Sequence, residues 1–549
     1  MSPQATASTN QPPPLEPYNV FRTDPALRGA VEREGAAAHV AWLDAFGARV
    51  GSDEVFGWGR DANRFEPELV THDRFGDRID EVRYHPSYHS LVDLSVTEGL
   101  HCRHYGTDPG NGDYVARNAA MYLMAQVEVG HGCAISMTGA ALYALDHQPD
   151  VAATWAPKVR TRHYDGALGA PGAKAGVLIG MSMTERQGGS DVRANTTMAV
   201  PDGIGGAGES YVLNGAKWFV SAPMCDAFLT LAYAPAGLSC FIVPRVLDDG
   251  TRNGLRLQRL KDKVGNRSNA SSEMELVNAH ATLVGDEGRG IQTIIDMVAG
   301  TRLDCTTWAV ALMRQAVAQA SWHVANRAAF GATLIDKPLM QNVVADLEIE
   351  TEAATLLDVR LAGAFERAPV DDTEAALARI GSAVGKYWIT KRSSPVVREA
   401  LECVGGNGFV EESILGRLYR EAPLNSIWEG SGNVIALDVL RALARTPAVA
   451  DALMLELKLG AGLDHRLDAS IAEVEAALGA VPHHEVDARR LVERLAITWS
   501  AALLVRHGHN DVADTYLRTR LDGDWGREFG TLPGDAPLSS IAERAVPAP

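Results

Sequence analysis

Apolar and polar positions divide the chain into stretches with different periods. From residue 20 to about 175, small and apolar residues form long runs with few β-branched clusters, as in MYLMAQVEVGHGCAISMTGAALYAL (121–145). This pattern predicts buried helices. From about 176 to 290, short apolar runs alternate with turn signals such as Asn-Gly and Pro-Asp-Gly, which predicts strands.

The helical period returns after about residue 290. A stretch that opens with Asp371 and Asp372 places apolar residues on one face of a predicted helix, at Leu377, Ile380, Val384, Tyr387 and Trp388. The acidic pair lies at the end of that helix where the dipole favours negative charge. A break at Thr446-Pro447 separates a last helical stretch, about 450–530, from what precedes it.

These periods predict a mainly α-helical protein with a central β domain and an additional C-terminal helical domain. The predicted parts are an extended Pro-rich arm (1–18), an N-terminal helical domain (19–178), a β domain (179–290), a second helical domain (291–445) and a C-terminal helical domain (446–549). For the arm, a solvated tail is favoured over packing on a partner subunit. The C-terminus is expected to be a frayed Ala/Pro tail.

Composition narrows the classes of function. The 549 residues are 46% hydrophobic and carry a net charge of −18, which argues against a generally cationic nucleic-acid binder but leaves room for a local basic patch. No apolar run reaches the roughly 18 residues of a membrane span, and no secretory signal is recognisable. The six cysteines lack metal-ligand spacing. We therefore expect a cytoplasmic protein with reduced thiols, no membrane partner and no metal site.

A glycine-rich segment, Gly203 to Gly208, fits the GxGxxG pattern. A dinucleotide fingerprint needs a strand before it and a helix after it. Here a strand and a turn follow, so we interpret the segment as a hairpin loop.

The strongest chemical signal is M-S-M-T-E-R-Q-G-G-S-D, which begins at Met181. Thr184 and Ser190 supply hydroxyls, Met181 and Met183 could lie against a flat ring, and Gly188-Gly189 allow close approach to a ligand. The alternative is a strand end capped by a polar turn.

Four further segments are weak when taken singly. Phe219 and Ser221 in N-G-A-K-W-F-V-S could wall a ring, although aromatic strands are usually core. Arg327 in R-x-x-F-G could grip a diphosphate, although a solvated arginine is commoner. The Gly405-Gly406 pair in G-G-N-G-F could expose backbone N–H groups, or could simply end a helix.

The fourth segment is N-S-I-W-E-G-S-G-N, residues 425–433. Glu429 lies between Trp428 and Gly430, where an aromatic neighbour could desolvate it and so suit it to act as a base. A glutamate taken alone is normally a surface residue.

Taken together and in this order, the five motifs resemble the acyl-CoA dehydrogenase family over about residues 40–445. The resemblance implies FAD bound between the β domain and the second helical domain, and a homotetramer built as a dimer of dimers. It implies that Glu429 removes the α-proton of an acyl-CoA as the β-hydride leaves for flavin N5. The thioester oxygen would be polarised by the Glu429 backbone N–H and a flavin ribityl hydroxyl.

The resemblance also assigns roles by position. Thr184 would bond the flavin edge, Ser190 would lie near flavin or thioester, and Arg302, next to Thr301, would lie close to the catalytic carboxylate. Arg327 and Phe330 would reach the FAD of a neighbouring subunit. The remaining implied cofactor contacts are Met181, Met183, Gly189, Phe219, Ser221, Gly405, Gly406, Ile427, Trp428, Gly430, Ser431 and Asn433.

Some positions depart from the usual family pattern. Phe219 stands where most members have Trp, Ser221 where they have Thr, Glu402 where they have Gln, and Trp428 where they have Tyr. These departures are compatible with flavin binding but put an ordinary substrate specificity in doubt.

The sequence resembles one branch of this family more specifically. The run R-L-K-D-K-V-G-N-R-S-N-A-S (259–271), N-Q-P-P-P-L (10–15) and the C-terminal helical domain are similar to the AidB-type alkylation-response flavoproteins. That similarity implies weak dehydrogenase activity on isovaleryl-CoA and binding of double-stranded DNA, with Arg441 and Arg520 as candidate DNA contacts. The charge disagrees, because residues 446–549 hold 16 acidic and 10 basic residues.

Three functions therefore remain open. The chain could be a DNA-associated flavoprotein of the alkylation response, a metabolic short- or branched-chain acyl-CoA dehydrogenase, or a scaffold that keeps FAD only for stability. Salt-dependent DNA binding distinguishes the first, and rapid flavin reduction by an acyl-CoA distinguishes the second.

Overall fold

A computed structural model describes residues 10–480 and 484–548. These residues form two compact units made of separated segments: one from residues in 1–53, 109–127 and 305–549, the other from 54–108 and 128–304. The α-helices, in chain order, are α1 (Pro25–Val31), α2 (Val40–Val50), α3 (Asp53–Arg64), α4 (Pro86–Thr97), α5 (Asp113–Val127), α6 (Gly132–Leu145), α7 (Pro149–Val159), α8 (Gly290–Asn326), α9 (Pro338–Arg367), α10 (Asp372–Val404), α11 (Ile414–Glu421), α12 (Gly432–Arg445), α13 (Pro447–Lys458), α14 (His465–Gly479), α15 (Ala488–His507), α16 (Asn510–Tyr516) and α17 (Leu538–Ala545).

The strands are concentrated between the first helices and α8. They are β1 (Glu68–His72), β2 (Arg78–Arg83), β3 (Ile179–Ser182), β4 (Met198–Pro201), β5 (Ser210–Ser221), β6 (Ala227–Ala234), β7 (Gly237–Pro244), β8 (Leu255–Leu260), β9 (Ser271–Val284), β10 (Ala328–Ala329) and β11 (Ala332–Thr333). This arrangement confirms the predicted fold class, which is mainly helical with a central β domain.

The main sheet closes on itself. Among the described residues, seven strands pair in the order β3-β6-β4-β5-β9-β7, with β8 on β9, and β7 also pairs with β6. The strands β6, β4, β5, β9 and β7 therefore form a barrel, whose apolar residues include Leu229, Leu231 and Ile242. Residues 202–209 join antiparallel β4 and β5, which confirms the hairpin reading of the glycine-rich segment.

The long helices follow the predicted apolar faces. The carboxylate of Asp371 caps α10 by accepting hydrogen bonds from the backbone N–H groups of Thr373 (2.8 Å) and Glu374 (3.1 Å). The predicted apolar face is confirmed, because Leu377, Ile380, Val384 and Tyr387 are buried and Trp388 is half-buried. In the same unit, α9 packs against α5, α10, α15 and α17.

One part of the region predicted to be helical is a hairpin. Strands β1 and β2 pair in antiparallel fashion around a turn at residues 73–77. The Asp73 carboxylate accepts hydrogen bonds from the backbone N–H groups of Phe75 (2.8 Å) and Asp77 (2.9 Å), which stabilises the turn.

The arm is not a solvated tail where the structure describes it; residues 1–9 lie outside the described residues. Leu15 is buried, and the Trp322 indole N–H donates to the Pro13 carbonyl (2.9 Å). The Asn10 side chain pairs with the backbone of Ala328 (2.7 and 2.8 Å). The described part of the arm therefore packs on α8 and the following hairpin of its own chain.

The expected frayed C-terminal tail is also wrong. Residues 538–545 form α17, whose Ile541 and Ala545 are buried, and the Ala545 carbonyl accepts a hydrogen bond from the Ser321 hydroxyl (2.9 Å). The Ala and Pro content of the segment gave no indication of this packing against α8 and α9.

Arg520 connects the C-terminal segment to α9. Its side chain is only 3% exposed, and its guanidinium lies 2.6 Å from Asp346 and 3.1 Å from Glu350. It also lies 3.9 Å from the centre of the Trp525 ring. A buried charge needs such partners, because an uncompensated one is costly.

We therefore expect Arg520→Gln to lower the free energy of unfolding by about 3–5 kcal/mol, since buried Asp346 loses its ion-pair partner and buried Glu350 keeps only Arg392. Urea unfolding of the FAD-loaded protein measures this. Arg518→Gln is the control: Arg518 pairs with Asp524 and Asp535 at the surface, where water screens the charges, and its loss should change stability far less than that of Arg520. Equal effects of the two variants would contradict the structural role of Arg520.

Candidate functional site

The T-E-R-Q-G-G-S segment follows β3 in the barrel unit. The Thr184 carbonyl accepts a hydrogen bond from the Trp218 backbone N–H (2.9 Å), and the Met183 carbonyl accepts one from the Asn195 side chain (3.1 Å). Met181 and Met183 are half-buried and pack against the apolar core of the unit. The segment is thus fixed by its backbone, while the Thr184 side chain stays partly exposed.

A buried ion pair anchors this segment. The Glu185 carboxylate accepts hydrogen bonds from both the N–H and hydroxyl groups of Thr196 and Thr197 and lies 2.9 Å from the Lys217 ammonium. Burial alone would raise the pKa of Glu185, but these donors and the ammonium outweigh it and lower the pKa to about 2. Sequence reasoning missed both residues, although a lysine at an inward position of β5 was a visible signal.

The two glycines after this pair differ. Gly188 has φ +126°, and a Cβ there would meet nothing within 4 Å. At Gly189, a Cβ would lie 2.6 Å from the Thr184 hydroxyl oxygen, so only glycine allows the backbone to approach Thr184 this closely. Ser190 follows and is exposed.

Strand β5 is irregular where it carries Trp218 and Phe219. The pairing with β9 shifts register between Lys217 and Val220, which indicates a bulge at Trp218 and Phe219. Phe219 is 52% exposed, and the Lys261 ammonium lies 3.3 Å from the Trp218 ring centre. The Ser221 hydroxyl lies 3.1 Å from that of Ser271.

Arg302 lies on α8, in the stretch of that helix that belongs to the barrel unit. Its side chain is half-buried, whereas the neighbouring Thr301 is buried and its hydroxyl donates to the Val298 carbonyl (3.2 Å). Thr301 is therefore held by its own helix.

In the other unit, Glu429 occupies an unusual backbone position. Its φ is +53° and that of Gly430 is +105°, so two consecutive residues adopt positive φ. Positive φ is uncommon for a non-glycine residue, and such outliers concentrate at functional sites. The Trp428 ring packs 5.6 Å from that of Trp308 and its N–H donates to Asn425 (3.1 Å), while Ile427 is 61% exposed.

The segment then enters α12. Ser431 is the residue before the helix and is exposed, as is Asn433. The side-chain amide oxygen of Asn433 accepts a hydrogen bond from the Arg489 guanidinium (2.8 Å), so α15 contacts the segment that carries Glu429.

Arg327 and Phe330 belong to a tight hairpin. Strands β10 and β11 flank Phe330 and Gly331, whose φ values of +52° and +79° are those of a two-residue hairpin turn. Phe330 is 97% exposed at the tip. The Arg327 guanidinium donates to the Asn10 carbonyl (2.9 Å), a contact that the sequence did not reveal.

The Gly405-Gly406 pair ends α10. The Gly405 N–H donates to the Glu402 carbonyl, so this position is a helix C-cap. Gly406 is exposed, and a Cβ there would meet nothing within 4 Å. The Gln11 side chain accepts hydrogen bonds from Asn407 (3.1 Å) and, more weakly, from Arg327 (3.4 Å). The arm thus bridges the Gly405 turn and the Arg327 hairpin.

The two candidate DNA contacts have different environments. Arg441 is exposed on α12. Arg520 is buried and paired with two carboxylates, as described above, so its guanidinium is not presented to a duplex. This geometry argues against Arg520 as a DNA contact.

The residues present fit the chemistry of FAD. In the barrel unit, exposed Phe219 suits an apolar ring face, and the hydroxyl groups of Thr184 and Ser190 suit a polar ring edge. In the helical unit, exposed Ile427 suits an apolar contact and the Arg327 guanidinium suits a diphosphate. The open backbone at Gly188 and Gly406 leaves room for close approach. Among the described side chains, no group of three or more His, Cys, Asp or Glu is placed to hold a metal ion.

Two further features concern the described ranges as a whole. No helix within residues 10–480 and 484–548 is long and apolar enough to cross a membrane. The six cysteines all lie in these ranges and are free thiols.

Comparison with known proteins identifies three matching families. Residues 10–166 match the adaptive response protein AidB N-terminal domain, residues 180–279 the acyl-CoA dehydrogenase middle domain, and residues 288–444 the acyl-CoA dehydrogenase C-terminal domain. The chain is 43% identical over 516 residues to the AidB protein of Escherichia coli strain K12, which covers 93% of this chain and 94% of that protein.

Two further similarities involve Caenorhabditis elegans. Acyl-CoA dehydrogenase family member 11 is 32% identical over 447 residues, covering 77% of this chain and 70% of the relative. The crystal structure of C. elegans ACDH-11 in complex with C11-CoA superposes with a TM-score of 0.84 at 27% identity, covering 93% of this chain and 92% of that one.

The Glu185–Lys217 pair predicts how the free energy of unfolding depends on pH. Because the Glu185 pKa falls from 4.5 to about 2 on folding, its contribution to stability is complete above pH 4.5 and is lost as the pH falls toward 2. We expect Glu185→Gln to be less stable than wild type at pH 7 and to lose less stability between pH 4.5 and 2, measured by urea unfolding. Glu209→Gln, which alters an exposed carboxylate just before β5, should behave as wild type. An unchanged acid dependence in Glu185→Gln would contradict the assignment.

Proposed function

Because the chain belongs to the AidB branch of the acyl-CoA dehydrogenase family, we propose that it oxidises the Cα–Cβ bond of an acyl-CoA with Glu429 as the base. Members of this family bind FAD, and the chain is an FAD-dependent oxidoreductase that acts on CH–CH groups. The observation that carries the proposal is the left-handed backbone at Glu429 in the segment that the family resemblance identifies.

The chemistry divides between protein and cofactor. FAD, when bound, accepts the hydride equivalent that leaves the β-carbon. Glu429 accepts the α-proton on a carboxylate oxygen, and the Trp428 side chain excludes water from one side of that carboxylate. Arg302 and Ser190 are the proposed substrate contacts.

We assign the cofactor contacts within each unit by position. In the barrel unit they are Met181, Met183, Thr184, Gly189, Ser190, Phe219 and Ser221. In the helical unit they are Gly405, Gly406, Ile427, Trp428, Gly430, Ser431 and Asn433, with Arg327 and Phe330 reaching the FAD of a neighbouring subunit. In the proposed homotetramer, a dimer of dimers, another subunit would cover the Phe330 ring, which is 97% exposed at a hairpin tip.

We expect Glu429→Gln to keep its FAD and to lose flavin reduction by acyl-CoA at least about 100-fold, because an amide cannot take the α-proton. Bleaching near 450 nm under anaerobic conditions measures this, with FAD content from the absorbance of the purified protein. Glu209→Gln, which alters an exposed carboxylate just before β5, is the control and should reduce as wild type does. Undiminished bleaching in Glu429→Gln would show that the base lies elsewhere.

We further propose a role in the DNA alkylation response, with double-stranded DNA as a partner and a cytoplasmic location. The support is the 43% identity to E. coli AidB along nearly the whole chain and the exposure of Arg441 on α12. The net charge of −18 instead favours a metabolic short- or branched-chain acyl-CoA dehydrogenase without DNA binding. Anisotropy of labelled duplex DNA separates the two.

We expect Arg441→Ala to weaken duplex binding equally for different sequences and to reduce the slope of log affinity against log salt by about one, as loss of a phosphate contact does. Titrations at about 50 and 200 mM salt measure the slope. Arg22→Ala, an exposed arginine paired with Asp44, is the control and should leave binding unchanged. Absence of duplex binding by wild type at low salt would favour the metabolic function.

A further inference from the structure

A buried lysine holds the segment that carries Glu429. Lys386 lies on α10 and is 1% exposed. Its ammonium donates hydrogen bonds to the carbonyl oxygens of Trp428 (2.7 Å) and of Gly430. These two carbonyls flank Glu429 in the sequence, so a single charged group contacts the backbone on both sides of the proposed base.

The two hydrogen bonds from Lys386 fix the peptide planes on either side of Glu429 and Gly430. The Trp428 carbonyl belongs to the peptide plane before Glu429, and the Gly430 carbonyl belongs to the plane after Gly430. Rotation about φ of Glu429 moves the first plane, and rotation about ψ of Gly430 moves the second. Glu429 cannot relax to an ordinary negative φ with its neighbours in place unless a carbonyl leaves the ammonium.

The cost of the positive φ at Glu429 also indicates that its surroundings hold it in place. A non-glycine residue at positive φ costs on the order of 1–3 kcal/mol and persists only when its surroundings enforce it. A buried ammonium needs acceptors, and hydrogen bonds from a charged donor are roughly twice as strong as neutral ones. The lysine and the two carbonyls therefore satisfy each other only when the segment has this conformation.

We propose that Lys386 is a positioning residue for the reaction: it holds Glu429 and Gly430 at the positive φ values that present the Glu429 carboxylate to the substrate α-carbon. The inference rests on the proposed role of Glu429. Lys386 itself touches neither substrate nor cofactor in this role, and it acts through the two carbonyls.

The test compares Lys386→Met with wild type as FAD-loaded protein. Methionine nearly matches the length of the lysine stem but donates no hydrogen bond. We expect hydrogen–deuterium exchange of peptides that cover residues 424–435 to rise about tenfold or more, as local opening becomes easier. Flavin reduction at saturating acyl-CoA should fall about 10- to 100-fold, with the half-saturating acyl-CoA concentration changed less than about threefold, because the base is misplaced while binding is kept.

Lys174→Met is the matched control. Lys174 is also a buried lysine, and its ammonium donates to the carbonyls of Asp165 (2.8 Å) and Ala167 (2.7 Å) and to Asp226. Its loss should increase exchange around residues 165–178, leave 424–435 as protected as in wild type, and keep the reduction rate per folded, FAD-loaded molecule. An equal effect of both variants on the rate would show that Lys386 contributes only general stability.

Lys386→Arg serves if the Met variant does not fold, since it keeps a charged donor. It should show intermediate loss of both protection and rate, because the guanidinium has a different shape. Wild-type protection of 424–435 in either Lys386 variant overturns the proposal, whatever the rate. If none of the acyl-CoA thioesters reduces the flavin of the wild-type protein, the function proposed for Glu429 fails. The hydrogen–deuterium exchange data still decide whether Lys386 holds the segment.

Discussion

The contact between the Lys386 ammonium and the carbonyls of Trp428 and Gly430 is the interaction on which the conformation of the proposed base depends. Glu429 stands at φ +53° and Gly430 at +105°, a conformation that the chain would not keep unaided. By tying this segment to the middle of α10, the contact transmits the rigidity of a long buried helix to the proposed base. The apolar face of α10 and its Asp371 cap thereby serve the chemistry.

A buried lysine also holds the backbone in the barrel unit. Lys217, also buried, pairs with Glu185 and donates to the Leu231 carbonyl (2.8 Å), so β5, β6 and the T-E-R-Q-G-G-S segment are held together. The bulge at Trp218 and Phe219 can then expose an aromatic ring without loosening the strand. In each unit a buried charge fixes backbone next to exposed groups that suit a cofactor, which is how a site is kept rigid while its ligand-facing side stays open.

The periodicity of the sequence predicted the class of fold, because buried helices and barrel strands differ in the spacing of apolar residues. The order of the motifs pointed to the segment around Glu429. What the pattern could not supply were contacts between distant residues. The contacts of Lys386, the Asn10 contacts and the packing of α17 join positions far apart in sequence. Arg520, expected as a DNA contact, instead pairs with Asp346 and Glu350. The 68–83 hairpin was hidden within a largely helical region.

The net negative charge favours a metabolic dehydrogenase that does not bind DNA, whereas the similarity to E. coli AidB favours double-stranded DNA as a partner. Both proposed functions share the same redox chemistry. The most direct test of the central claim is therefore anaerobic mixing of the FAD-loaded wild-type protein with acyl-CoA thioesters, from isovaleryl-CoA to C11-CoA, while flavin absorbance near 450 nm is followed. The account predicts bleaching by at least one thioester, with exchange of its α-proton for solvent deuterium. Stable FAD without bleaching or exchange by any of them would contradict it.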